Sequence, residues 1–252
     1  MPTTILITGG NRGLGKGLVA TYLSTPDTAV IATVRDPSKC ESLQTLPKGP
    51  GSRLLIIKLE ISSTDSIAAA MDDLRNTHNI TALNVVIASA GISGPTHSLA
   101  RAPVTELQRY INVNAYGPFE LFKAVLPLLR STTAEKKAKF VLISSAGGSL
   151  TAMYNFMPLS AYGASKALAN FLFKWLALEN NDLIIWAQNP GSVDTDMVRD
   201  GLELAKNLGF DFSAVSFTSP EDSARAIKNV IDSATAETSG KFLEYDGTEL
   251  AW

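Results

Sequence analysis

The sequence holds one cysteine, Cys40, so no disulfide can close within the chain and a reducing, cytoplasmic setting is expected. It has only two histidines, His78 and His97. Both are isolated from any cysteine or carboxylate pair at ligand spacing, so no metal is expected. No apolar run approaches the roughly 18 residues of a membrane-spanning helix. The opening MPTTILITGG has no basic leader ahead of its first apolar run, and the closing ELAW is neither a prenylation nor a retention signal. A large excess of one charge is also missing: 22 Lys and Arg stand against 24 Asp and Glu, with no basic block. Neither nucleic acid nor a membrane surface is therefore an expected partner. Repeats, low-complexity tracts and long linkers are absent too. The one candidate linker, PKGPGS at 47–52, is too short to separate domains, so a single domain over 1–252 is expected. What is abundant is apolar material, 45% of the residues, enough for a large core.

That material falls into short apolar runs alternating with segments of helical period. Strands are predicted near 3–8, 28–34, 53–59, 84–88, 138–144, 182–188 and 241–245. Helices are predicted near 13–25, 38–45, 64–77, 103–130, 160–180 and 219–233. Runs such as VVIA, FVLI and LIIWA are apolar at every position, as in parallel strands covered on both faces. Ser219 before Pro220, Glu221 and Asp222 marks a helix start, and Thr64-Asp65 marks another. Pro127 should kink or end the helix that contains it. The alternation predicts an α/β fold, a doubly wound parallel sheet of about seven strands with helices on both faces.

Between the first strand and first helix lies TGGNRGLG, residues 8–15. Free N–H groups at a helix N-terminus suit a phosphate, and glycines allow close approach. The spacing Gly9, Gly13, Gly15 departs from Gly-x-Gly-x-x-Gly, so a plain strand-to-helix turn remains an alternative. The second strand ends IATVRD. An acidic side chain there would bond a ribose 2′-hydroxyl, whereas Arg35 would accommodate a 2′-phosphate. With Arg12 inside the turn, this favours NADP(H) over NAD. Asp36, directly after Arg35, and a merely solvated strand-end arginine keep the opposite reading open.

YGASK at 162–166 places Tyr162 and Lys166 on one helix face. A free phenol titrates near pH ~10 and is a poor acid-base group at neutrality. A neighbouring ammonium lowers that value and tunes the proton donor. An ordinary structural Tyr-Lys contact is the alternative. Ser145, in FVLISSAGG, ends a predicted parallel strand, where ligands of such sheets sit, and its hydroxyl could bond a substrate carbonyl.

Together these pieces resemble the short-chain dehydrogenase/reductase family over essentially the whole chain. The family's Thr-Gly-x-x-x-Gly-x-Gly is present as TGGNRGLG and its Asn-x-x-Gly as NAYG at 114–117. Its serine lies in ISS, its Tyr-x-x-x-Lys is YGASK, and its Pro-Gly-x-x-x-Thr is PGSVDT at 190–195. The chain, its ending GKFLEYDGTELAW in particular, is similar to fungal ketoreductases of the norsolorinic acid reductase type, which act in polyketide pathways. The resemblance implies that Tyr162 is the general acid/base and that Lys166 lowers its pKa and holds the nicotinamide ribose. Ser145, in preference to Ser144, would orient the carbonyl, and Asn114 would support a water relay from Lys166. The cofactor would lie on Gly9, Asn11, Arg12, Gly13, Leu14, Gly15 and Arg35, then Glu60, Ile61, Ser89, Ala90 and Gly91. Tyr162, Lys166, Pro190, Gly191, Val193 and Thr195 would frame its nicotinamide end. Ser89 stands where the family usually has asparagine, and Glu60 where it usually has aspartate. The interval from Ser145 to Tyr162 is about four residues longer than the family pattern.

Two segments are expected to line a substrate site. One carries Met153, Tyr154, Phe156 and Met157. The other, 196–217, carries Met197, Val198, Leu202, Leu208, Phe210 and Phe212, and its apolar spacing suits an amphipathic lid helix. Such side chains suit a large, flat or apolar ketone. The expected function is NADPH-dependent carbonyl reduction of a small-molecule ketone or aldehyde, with a non-catalytic NADP-binding sensor or scaffold as the alternative. The apolar helices near 103–130 and 160–180 imply, by the family resemblance, a homodimer or homotetramer.

Overall fold

The computed structural model describes residues 2–94, 96–132, 137–153, 159–207, 209 and 215–252. Strands β1 (Thr3–Thr8), β2 (Thr28–Val34), β3 (Arg53–Lys58), β4 (Val85–Ala88), β5 (Lys139–Ile143), β6 (Ile184–Gln188) and β7 (Phe242–Leu243) form one parallel sheet in the order β3-β2-β1-β4-β5-β6-β7. The central strands are largely apolar because both faces are buried, whereas the edge strand β3 starts and ends on an exposed charge. Leu6, Ile31, Val86, Phe140 and Ile185 face one helical layer. Ile5, Ile7, Val30, Ile87, Val141 and Trp186 face the other.

The first layer contains α3 (Thr64–Asn76), α5 (Gly117–Arg130) and α6 (Ser160–Glu179). At its centre Phe122 and Phe173 pack on Phe140, with ring centroids 5.3 and 5.2 Å away. The second layer contains α1 (Gly13–Leu23) and α8 (Pro220–Ser233). These two pack closely because Gly17 has no side chain: a Cβ there would lie 2.7 Å from the Pro220 carbonyl oxygen. Further helical pieces include α2 (Glu41–Gln44), α4 (Val104–Ile111), α7 (Asp196–Asn207) and a 3-10 turn at Pro37–Lys39.

Two expectations need correction. The helix expected over 103–130 is broken by a π-helical turn, Asn112–Tyr116, between α4 and α5. Pro127 stands inside α5, which ends three residues later at Arg130. Leu128 and Leu129 are buried there, and Leu83 N–H donates to the Leu128 carbonyl at 3.0 Å, so outside partners support the last turn. The segment 38–45 is split into the 3-10 turn and α2, with Cys40 buried between them.

Strand order reverses between β1 and β4. In such sheets this opens a crevice beyond the strands' carboxyl ends, where ligands bind.

Candidate functional site

The glycine turn leaves β1 with Gly9 at φ +69° and Gly13 at φ +51°, conformations that side chains rarely adopt. A Cβ on Gly15 would meet the Gly9 carbonyl oxygen at 2.2 Å, and one on Gly9 would meet the Ala90 Cα at 3.0 Å. One on Gly13 would approach the Thr195 Cγ2 to 3.1 Å. The turn, the segment after β4 and the segment after β6 therefore meet only because glycine stands at these positions. Thr8 fixes the join, its hydroxyl accepting from Ser89 N–H at 3.0 Å and Ala90 N–H at 2.9 Å.

Helix α1 starts without a side-chain cap and without an acidic residue in its first turn. By contrast, Ser63 caps α3 and Ser219 caps α8. The uncapped N–H groups around Asn11, Arg12 and Leu14, at the positive end of the helix dipole, fit a phosphate-bearing group. Arg12 and Arg35 are exposed, and neither has an ion-pair partner among the described residues. Asp36 is occupied locally: it accepts from Ser38 N–H at 3.1 Å and from the Ser38 hydroxyl at 2.6 Å, starting the Pro37–Lys39 turn. Those bonds hold its carboxyl below the usual carboxylate range. The Glu60 carboxylate is likewise turned to its neighbour, accepting from Ser62 N–H at 3.3 Å and Ser62 hydroxyl at 3.0 Å. Ile61 is buried against Gly117, where a Cβ would lie 2.7 Å from the Ile61 carbonyl oxygen.

The parallel sheet brings a second group together beyond β4, β5 and β6. Lys166 is 6% exposed, and its Nζ donates to the Ile143 carbonyl at 2.8 Å, lying 5.8 Å from the Tyr162 ring centroid. Burial pushes its ammonium down to about 8. The Tyr162 phenol is pushed up by burial, opposed by a hydrogen bond with the Ser145 hydroxyl. Lys166 has no part in that shift: its ammonium is held on a main-chain carbonyl, and desolvation sets the direction.

Ser145, not Ser144, faces the phenol. The Ser144 hydroxyl is buried and donates to Asn170 Oδ1 at 2.5 Å. Ser145 accepts from Gly147 N–H at 3.1 Å and opens a 3-10 turn, Ala146–Gly148, that Asn189 Oδ1 anchors through Ala146 N–H at 3.0 Å. Asn114 lies in the π turn, 1% exposed, and its side chain is largely spent on protein partners. It accepts from Ile92 N–H and donates to the Ile92 carbonyl, both at 2.9 Å, and donates to Ser165 Oγ at 3.0 Å. A Cβ on Gly91 would be 3.1 Å from Asn114 Oδ1 and 3.9 Å from Lys166 Nζ, so these three positions converge.

After β6, Gly191 (φ +75°) lies against Tyr245, Val193 pairs with Thr218, and the Pro190 carbonyl accepts from Ser223 Oγ at 2.8 Å. Arg35 and Glu60 follow β2 and β3, on the other side of β1. Three strand spacings separate β2 from β5, about 14 Å, a span suited to an extended dinucleotide.

Sequence reasoning missed Thr8, Asn170, Asn189 and Tyr110. Thr8 opens one quoted motif, Asn189 directly precedes another and Asn170 lies one helical turn beyond a third, but no local pattern reveals their partners. The two histidines are not isolated: His97 Nδ1 is 2.6 Å from Glu106 Oε2, and His78 Nε2 is 3.8 Å from Asp73 Oδ2. Of the expected substrate-lining residues, Met153 is exposed, and Met197, Val198 and Leu202 are half-buried, the last three on α7. Tyr154, Phe156, Met157, Leu208, Phe210 and Phe212 lie outside the described residues.

A family model described as short chain dehydrogenase matches residues 3–204. The short chain dehydrogenase gsfK of Penicillium aethiopicum is 77% identical over 252 residues, covering 100% of both chains. Norsolorinic acid ketoreductase nor1 of Dothistroma septosporum is 38% identical over 255 residues, covering 99% of this chain and 92% of that one. The NADPH-bound carbonyl reductase from chicken fatty liver superposes with a TM-score of 0.86 at 27% identity, covering 100% of this chain and 94% of that one.

Proposed function

This chain belongs to the short-chain dehydrogenase/reductase family, and on that footing we propose that it is an NADPH-dependent carbonyl reductase acting on a large aromatic or polyketide-derived ketone. The observation that carries the reading is the Tyr162 phenol beside the Ser145 hydroxyl, with Lys166 buried one turn further along the same helix. A phenol held above its usual range stays protonated at neutral pH, the state required of a proton donor. Ser145 orients the carbonyl oxygen between its hydroxyl and the phenol. When bound, the reduced nicotinamide supplies the hydride. Lys166 binds the adjoining ribose and brings its positive charge toward the phenolate that forms as Tyr162 gives up its proton. Asn114 holds the Ile92 segment beside Lys166 and supports proton return from solvent. Gly9 to Gly15 bind the pyrophosphate, and Pro190, Gly191, Val193 and Thr195 close the nicotinamide side. The chain acts as one reductase domain, with residues 196–217 as the substrate lid.

Arg12 and Arg35 support NADPH over NADH, since Asp36 already serves the Pro37–Lys39 turn. The test is cofactor consumption with NADPH and NADH in parallel against aromatic ketones and quinones. The Arg35→Glu variant is expected to lower the NADPH:NADH ratio of kcat/KM by about 10–100-fold, the value of a charge-assisted contact. An unchanged ratio overturns the role of Arg35. The relatives named as norsolorinic acid ketoreductases support the aromatic substrate class, as do the exposed apolar side chains of Leu150, Met153 and Phe217.

The partner surface is read as a second copy of this chain. Phe171, Trp175 and Leu178 are exposed on α6, and the first two stack at 6.2 Å beside Phe119 of α5. Trp175→Glu puts a charge into that apolar groove. The variant is expected to run as a monomer in light scattering where the wild type runs as a dimer or tetramer. A monomeric wild type would defeat the assignment.

A further inference from the structure

Along α4 and the π turn, Glu106, Tyr110 and Asn114 recur at intervals of four, and each grips the next piece of the segment after β4. Asn114 holds Ile92 through both main-chain groups at 2.9 Å. The Tyr110 hydroxyl donates to the Gly94 carbonyl at 3.3 Å. Glu106 accepts from His97 N–H at 3.1 Å and meets the ring Nδ1 at 2.6 Å. The far end of this segment is tied to the start of α6: Ser160 Oγ donates to the His97 carbonyl at 2.8 Å, and Ala161 N–H to Thr96 Oγ1 at 3.4 Å. Tyr110, in the middle, is 6% exposed, and its ring meets that of Tyr162 edge-on, with centroids 6.4 Å apart and planes at 80°.

A phenol on a helix can swing about its side-chain torsions, and proton donation demands that its oxygen stay within hydrogen-bond reach of the carbonyl. On one side Tyr162 has the Ser145 hydroxyl. The other side is covered by Tyr110, which is itself fixed by the Gly94 carbonyl. An edge-to-face pair prefers this arrangement over a parallel sandwich. We propose that Tyr110 is a positioning residue for Tyr162: its ring holds the phenol in its reactive pose. The proposal rests on the reading of Tyr162 as proton donor.

Three variants and two readouts test it. Tyr110→Phe keeps the ring, Tyr110→Leu removes it, and Tyr110→Met fills the volume without an aromatic edge should leucine destabilise the chain. Removing the ring is expected to lower kcat by about 10–100-fold, the cost of a slightly misplaced reacting group. The KM for NADPH should stay within about threefold, whereas Tyr110→Phe should retain kcat within about threefold. The second readout needs no turnover. In protein labelled with fluorotyrosine, the Tyr162 resonance, identified by its loss in Tyr162→Phe, should shift in the Leu or Met variant and hold in the Phe variant. An unmoved resonance and unchanged kcat on loss of the ring overturn the proposal, as does a Phe variant as impaired as the Leu variant. If the wild type reduces no carbonyl, the functional reading fails, while the resonance still decides whether Tyr110 holds Tyr162.

Discussion

Tyr162→Phe is expected to lower kcat for carbonyl reduction by about 10³-fold, some 4 kcal/mol of barrier, while the Kd for NADPH stays within about threefold. The substitution removes one oxygen and leaves the ring, so the edge contact with Tyr110 and the backbone of α6 persist. What is lost is the phenolic hydroxyl that stands beyond β5 beside Ser145, with Lys166 nearby. Neither neighbour can replace it. A serine hydroxyl is a far weaker acid, and the Lys166 ammonium is committed to the Ile143 carbonyl. The measurement is steady-state turnover beside a fluorescence titration of NADPH. Turnover within tenfold of wild type would remove Tyr162 from the chemistry, and loss of NADPH binding would make it a structural residue of the cofactor site.

Gly15→Ala is expected to weaken NADPH binding by about 100-fold or more, the consequence of a few kcal/mol of overpacking directed into the binding turn. The added Cβ would lie 2.2 Å from the Gly9 carbonyl oxygen and 2.8 Å from its carbon. Both are backbone atoms, so no side chain can swing away. The carbonyl cannot readily retreat either, because Gly9 is already held at φ +69° with the Ala90 Cα 3.0 Å from the place a Cβ would occupy. The turn must open, and the N–H groups of Asn11 to Gly15 lose their common focus. A melting curve and a titration on the same sample separate the effects. An NADPH Kd within threefold of wild type would mean that this turn does not carry the cofactor.

Much of this was legible in the chain. The runs of β1, β2 and β5 read as buried parallel strands because covering both faces of a sheet leaves no polar positions to alternate. The Ser63 and Ser219 caps were legible within a residue, since a cap depends on neighbours three positions away. TGGNRGLG, NAYG, YGASK and PGSVDT marked positions that the sheet topology then brought to one edge.

The π turn was not legible. It has no compositional mark, and it is set by Asn114 reaching Ile92, 22 residues away, and by Gly117 seating on the Ile61 carbonyl. The same holds for Tyr110, whose contacts with Gly94 and Tyr162 lie 16 and 52 positions off and follow no local period. The direction of the Tyr162 shift was not legible for a related reason: spacing places an ammonium on the same helix face as a phenol, but only the tertiary environment decides how far the phenol is desolvated. Sequence alone therefore determined what nearest neighbours and periodicity control: the strands, most helices, the glycine turn, and the order of the motifs along the chain. The tertiary structure decided which of two serines faces the Tyr162 phenol, where the long helix breaks and what packs on the Tyr162 ring, because those depend on contacts between residues that only folding brings together.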